Sequence, residues 1–333
     1  MMNPAPLVDS FGRVHDNLRI SVTDRCNIRC FYCMPETDVR FVERSEILDF
    51  EEIERFVRVA VEMGIRKLRV TGGEPLVRRD LPVLIGRLAA IPGIEDLALT
   101  TNGVLLEEYA QPLYDAGLRR LNVHIDTLDR ARFEQITRRD DLGRVLSGLA
   151  LAKRIGFTKI KLNAVAVKNL VELDIVPLAR YARENGFEVR YIEFMPLDAQ
   201  NLWDRGKVLL ADDMIAMLSR EISPLAPVPD PDPRAPASEY VYEDGGGMVG
   251  FIASVSRPFC LNCNRLRLTA DGKLRYCLFA IEEDDVKTLI RSGARDEEIA
   301  ELVRRNVGGK WAGHEINSAK FVAPPRPMYS IGG

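Results

Sequence analysis

The sequence is short of cysteine and histidine, with six and three among 333 residues. It also lacks long apolar runs and any marked excess of one charge. The longest stretch free of charged residues, 245–256, has 12 residues, whereas a bilayer-spanning helix needs about 20. No membrane segment is therefore expected. Lysine and arginine total 46 against 49 aspartate and glutamate, a net charge of −3, so nothing global points to nucleic acid or a membrane surface as partner. The first residues carry neither a cationic start with an apolar run nor an Arg/Ser-rich amphipathic helix, and a cytoplasmic location is expected. With 46% hydrophobic and 29% charged residues, the composition is that of a soluble folded protein. The length allows about two domains, or one large α/β barrel with an appendage.

The few cysteines are concentrated. All six fall in two triplets, Cys26, Cys30 and Cys33, then Cys260, Cys263 and Cys277. Paired disulfides are not expected in a chain of this size without a secretion signal. With only His15, His124 and His314 besides, metal chemistry must rest mainly on sulfur, as two sites of three thiolates each.

Apolar, β-branched runs at 18–22, 67–70, 96–100, 120–125, 159–167 and 188–193 read as six strands. Helical patterns lie between them at 50–63, 81–90, 105–116, 142–155 and 171–184. In the last of these, Pro177 should kink the helix or mark a late start. The alternation predicts a parallel α/β sheet, either an incomplete (β/α)6 TIM-like barrel or a doubly wound sheet. Residues 1–12 read as an extension, 13–196 as the core, 197–322 as a C-terminal α+β segment and 323–333 as a tail ending in Gly332-Gly333, flexible by composition. Residues 224–236 hold six prolines and predict an exposed loop without a regular ladder. Beyond it, short strands are expected near 240–242, 248–253, 266–269 and 274–277, with a hairpin turn at Asp271-Gly272 and helices at 283–291 and 296–306.

The first triplet is C-x3-C-x2-C directly after the first strand. Three clustered thiolates without a nearby fourth ligand suit a closed zinc site poorly and an iron–sulfur cluster with one open iron well. The second strand ends in Thr71-Gly72-Gly73-Glu74-Pro75, and glycines at a strand's C-terminal end let backbone approach a ligand closely. The triplet with its Tyr32 and this GGEP element resembles the radical S-adenosylmethionine (SAM) superfamily. The resemblance implies that the open iron holds the amino and carboxylate groups of SAM, and that an electron from the reduced cluster cleaves SAM to methionine and a 5′-deoxyadenosyl radical. It further implies that Tyr32, Gly73 and Met195 line the SAM site. His124 stands where the superfamily member resembled here usually has a SAM-contacting serine, and its ring can still donate a hydrogen bond. Asp126 is placed either to reach a ribose or to cap the next turn.

The second triplet is C-x2-C-x13-C. Alone it could be three-quarters of a zinc ribbon, with His314 as a distant fourth ligand. Arg265 and Arg267 alternate on the following strand and so share a face, which suits a phosphate-rich ligand. Residues 18–25, 67–70, both triplets and the terminal Gly-Gly together resemble the GTP 3′,8-cyclase family, also called the molybdenum-cofactor biosynthesis protein A family. That resemblance implies two 4Fe-4S clusters, the C-terminal one binding the guanine of GTP. It implies GTP contacts at Arg19, Lys67, Arg69, Thr100, Lys161, Arg265, Leu266 and Arg267, with Arg19, Arg265, Arg267, Gly332 and Gly333 serving catalysis. It also implies an electron donor, a homodimer, and cyclic pyranopterin monophosphate synthase acting next. Other readings of the residues are a two-cluster peptide-modifying maturase and a zinc-stabilised binding module.

Overall fold

The computed structural model describes residues 6–332. Gly333, expected to serve catalysis, lies outside them. The six expected core strands form as β1 (Asn17–Ser21), β2 (Lys67–Thr71), β3 (Asp96–Thr101), β4 (Arg120–His124), β5 (Lys159–Ala166) and β6 (Glu188–Glu193), paired in that order and all parallel. Crossover helices α1 (Phe50–Glu62), α2 (Leu81–Ala89) and α3 (Leu106–Asp115) follow the first three strands. Two helices, α4 (Arg130–Thr137) and α5 (Leu142–Ile155), separate β4 from β5, and α6 (Ile175–Asn185) separates β5 from β6.

Local chemistry explains the boundaries. Asp49 and Glu52 form a reciprocal capping box at the start of α1, whose Ile53, Phe56, Val57, Ala60 and Val61 are buried. Pro177 marks a late start: a short turn at Glu172–Asp174 precedes α6, and the proline sits in its first turn, where its missing N–H costs nothing. Helix α4 was not expected. Its sequence is largely polar, and its start rests on Asp129, whose side chain accepts from the Arg132 amide.

The C-terminal segment does not form a separate layer. After α7 (Ala211–Glu221), strands β7 (Leu225–Pro227), β8 (Ser238–Tyr242) and β9 (Met248–Ile252) extend the sheet beyond β6. Then β10 (Arg265–Leu268), β11 (Lys273–Arg275) and β12 (Asp284–Asp285) extend it beyond β1. Both β9 and β10 run parallel to the core strands they join. The result among the described residues is one open sheet of 12 strands with both edges free. Helices α8 (Val286–Arg291) and α9 (Asp296–Gly308) pack behind β11, and a last turn, α10 (Met328–Ile331), carries the tail.

The loop expected at 224–236 needs correction at its start, because β7 pairs with β8 from Leu225↔Tyr242 to Pro227↔Tyr240. Proline is tolerated there because β7 is the edge strand. The tail likewise has a fixed place, described below.

Candidate active site

Parallel register sets the first part of the site. Arg19 on β1 lies opposite Arg267 on β10 and Arg69 on β2, so three guanidinium groups stand in one row on the inner face. Leu18, Ile20, Leu266 and Leu268 alternate with them and join the hydrophobic core. The arginine row lines a cavity of about 1030 Å³, including its open mouth, together with Arg265, Thr100, Asn163, Arg190 and all three cysteines of the second triplet. A second cavity of about 1040 Å³, also open, is lined by Cys26, Cys30, Cys33, Gly73, Tyr32 and His124. The two share Thr100, Asn163, Ile192, Met195 and Met328 as common wall. They are therefore two halves of one cleft, with a cysteine triplet at each end, at the C-terminal ends of the core strands where β/α folds place their sites.

The first triplet is held by backbone packing. A Cβ on Gly73 would lie 2.5 Å from the Arg25 carbonyl oxygen, and one on Gly72 2.8 Å from that of Thr23. Only glycine lets the β2 turn press against the cysteine loop, with Gly73 N donating to Thr23 O (2.7 Å) and Glu74 N to Arg25 O (2.8 Å). Glu74 is fully buried and accepts from Leu76 N (2.9 Å), Thr101 Oγ1 (2.7 Å) and Asn102 N (2.6 Å), so it ties β2 to β3. Burial still pushes its carboxyl up to about 7. Asn102 in turn donates to Asn27 Oδ1 (2.7 Å) and lies 3.6 Å from Cys26 Sγ.

Tyr32 donates to Asp126 Oδ2 (2.5 Å), and its hydroxyl lies 2.5 Å from His124 Nε2, itself 3.1 Å from the same carboxylate. Burial opposes protonation of His124, but the Asp126 carboxylate outweighs it and holds the imidazole well above its ordinary range. Asp126 also accepts from Val165 N (2.7 Å), so its carboxylate is occupied within the wall rather than turned to a ribose.

At the other end, Arg265 Nη2 lies 3.3 Å from Cys263 Sγ, and its guanidinium stacks on Phe259 at 4.4 Å. Burial raises the Cys263 thiol, but Arg265 and Lys310 bring it down to about 6. Among the described residues, Arg19, Arg69, Arg265 and Arg267 have no carboxylate partner, and Arg19 Nε is buried without any acceptor. Burial and mutual repulsion bring Arg267 down to about 9 and Arg69 to about 10. Such a cluster is arranged for a polyanion. Arg267 Nη1 donates to the Gly332 carbonyl (2.9 Å), and Gly332 has φ +87° with space for no side chain, since a Cβ would lie 2.6 Å from Ser21 Cβ.

Three expected contacts lie elsewhere. Lys67 faces Asp16 at 3.9 Å and Lys161 binds Glu188 at 2.7 Å, both outside the cavity lining, and the Leu266 side chain is in the core. Sequence reasoning missed Arg190, which lines the arginine cavity while paired to Glu188 and Glu239. It also missed Asn163, whose Oδ1 is buried without a partner. His314, the distant fourth ligand of the zinc reading, lines the same cavity.

The donor sets fit iron–sulfur clusters. All six cysteines are free, and each triplet rings a cavity rather than converging on one ion-sized point among the described residues. Three soft sulfurs, with no fourth ligand grouped with them among the described residues, leave a position for substrate.

A buried clamp fixes the second triplet from the N-terminal side. Arg13 Nε binds Asp9 (2.6 Å), while its other nitrogens donate to the carbonyls of Cys260 (2.8 Å), Ala312 (3.0 Å) and Trp311 (2.6 Å). Burial alone would raise the Asp9 carboxyl, but His15 and Arg13 hold it down at about 2. A lowered carboxyl stabilises the fold above its unfolded pKa and loses that contribution as pH falls through the folded value. Asp9→Asn is expected to cost about 2 kcal/mol at pH 7. The thermal midpoints of the two apoproteins should converge between about pH 4 and pH 2, and equal midpoints at pH 7 would refute the clamp.

Comparison with known proteins agrees with this anatomy. Residues 20–182 match the family described as Radical SAM superfamily, and 187–316 the one described as Molybdenum Cofactor Synthesis C. A Rhodopirellula baltica protein named GTP 3′,8-cyclase is 50% identical over 336 residues, covering 100% of this chain and 94% of that protein. A Mycobacterium tuberculosis protein named GTP 3′,8-cyclase 2 is 46% identical, covering 98% and 92%. The crystal structure of Streptococcus suis SuiB bound to S-adenosylmethionine superposes with a TM-score of 0.61 at 15% identity, covering 95% of this chain and 77% of that one, a likeness of fold.

Proposed function

The chain belongs to the GTP 3′,8-cyclase family of radical SAM enzymes, and from that premise we propose that it converts GTP into (8S)-3′,8-cyclo-7,8-dihydroguanosine 5′-triphosphate, opening molybdenum cofactor biosynthesis. The observation that carries the reading is the row of arginines without carboxylate partners, set beside a second thiolate triplet in the same cleft as the first. Cys26, Cys30 and Cys33 would hold one 4Fe-4S cluster and Cys260, Cys263 and Cys277 another. When bound, the clusters and SAM supply one-electron reduction and radical chemistry, and the second cluster offers an open iron to guanine.

The chain's own residues bind, orient and exclude water. Arg19, Arg69 and Arg267 would take the triphosphate, since guanidinium groups grip phosphate oxygens in pairs and act most strongly where water is excluded. Arg265 would bridge the triphosphate and the sulfur of Cys263, and Thr100, on the common wall, would touch both ligands. Tyr32, Gly73, His124 and Met195 would line the SAM half. His124 replaces the expected serine, and its Nε2 is committed to Tyr32 and Asp126, so it would shape that wall as a cation. Gly332, with Gly333 beyond it, would close the arginine half, and Leu266 would contribute only backbone. Lys67 and Lys161 would act on GTP at longer range than direct contact.

A homodimer, a separate electron donor and cyclic pyranopterin monophosphate synthase as next enzyme complete the proposal, with a cytoplasmic location. No helix among the described residues is long and apolar enough to cross a membrane. Anaerobic incubation with iron, sulfide, reductant, SAM and GTP should yield 5′-deoxyadenosine in step with the cyclised nucleotide. Deoxyadenosine formed equally well without GTP would overturn the assignment.

A further inference from the structure

Lys310 is a cation in the interior with no carboxylate beside it. It follows α9, is 4% exposed, and forms no ion pair with any Asp or Glu among the described residues. Its ammonium has three acceptors to match its three protons. They are the carbonyl oxygens of Arg265 (2.9 Å) and Tyr276 (2.9 Å) and the sulfur of Cys263 (3.5 Å). Tyr276 directly precedes Cys277, and Arg265 opens the strand that follows Cys263. One side chain thus joins the two chain segments that carry two of the second triplet's sulfurs.

A buried charge without a counter-ion is costly. The sulfur beside it is that of Cys263, and Cys277 directly follows Tyr276, whose carbonyl it binds. Hydrogen bonds to sulfur and local positive charge both stabilise the more negative, reduced form of an iron–sulfur cluster and so raise its potential.

We propose that Lys310 is a positioning residue that sets the reduction potential of the site formed by Cys260, Cys263 and Cys277, holding it higher than the thiolates alone would allow. This rests on the reading of that site as an iron–sulfur centre. In the couple concerned, one electron from an external reductant is added at the site, and no bond to Lys310 forms or breaks. The carbonyl contacts fix the ammonium in place, so its charge acts at one constant distance from Cys263. Arg265, the other cation touching that sulfur, stacks on Phe259 and faces the cavity, leaving Lys310 as the cation on the protein side.

The test uses full-length chain carrying Cys26→Ser, Cys30→Ser and Cys33→Ser, reconstituted anaerobically with iron and sulfide so that only the second site is loaded. Reduced cluster is counted by electron paramagnetic resonance during titration with dithionite, normalised to loaded iron so that partial loading does not matter. Lys310→Gln keeps a hydrogen-bond donor and removes the charge. At a fixed solution potential its ratio of reduced to oxidised cluster should fall about tenfold, which is about 59 mV for a one-electron couple. Lys310→Arg keeps the charge and should stay within about threefold of the parent. An unchanged ratio in Lys310→Gln overturns the inference and leaves the functional reading standing. A parent chain that binds no iron at the second site overturns both.

Discussion

Cys30→Ser is expected to reduce cleavage of SAM by at least ~10³-fold while leaving GTP binding within about threefold of the parent. Cys30 is buried at the centre of the first loop, its carbonyl accepting from Cys33 N (2.9 Å) and Met34 N (3.0 Å), so the substitution removes a sulfur without releasing the loop. A hydroxyl is a hard, weakly acidic donor and a poor replacement for thiolate on iron. The arginine row is formed by β1, β2 and β10 at the other end of the cleft and does not depend on Cys30. Chromatography of 5′-deoxyadenosine reads the first quantity and equilibrium dialysis of GTP the second. Cleavage that survives at the parent rate would place SAM chemistry elsewhere.

Arg267→Ala should weaken GTP binding and GTP-dependent turnover by about 10²-fold each, with iron content unchanged. Two interactions vanish together. The triphosphate loses the guanidinium at the β10 end of the row, and Gly332 loses the donor that holds its carbonyl at 2.9 Å. Arg267→Lys should recover only part of the loss, because a single ammonium cannot bind phosphate and the tail in the same forked geometry. Loss of iron along with GTP binding would show instead that the arginine serves the cluster loop. Unchanged GTP affinity would remove the arginine row from the account.

Local pattern made the core legible. The six parallel strands announce themselves as apolar, β-branched positions because one face of each packs in the core, while the other turns residues such as Arg19 and Arg69 to the cleft, and α1 announces itself through Asp49 and Glu52. Helix α7 did not, since Leu210 at its N-cap provides no side-chain hydrogen bond. The fate of the C-terminal strands was not legible either. Pairing of Leu266 with Leu18 and of Val249 with Val189 is a long-range register choice that local composition does not carry. The site follows the same division. Cysteine spacing and the alternation of Arg265 and Arg267 could be read directly. Lys310 and Arg13 reach the second triplet across sequence separations of 47 and 247 residues, and nothing in their neighbourhoods marks them. The acidic neighbours of Lys67 and Lys161 were equally illegible, since Asp16 and Glu188 are brought beside them only by the fold.

Two three-thiolate sites face each other across one cleft, and each is expected to hold an iron–sulfur cluster. Iron and acid-labile sulfide in anaerobically reconstituted protein test it most directly. Roughly eight irons per chain are expected for the parent, and roughly four when either triplet is replaced by serine. A colourless chain holding zinc, or iron that persists when both triplets are replaced, would contradict it.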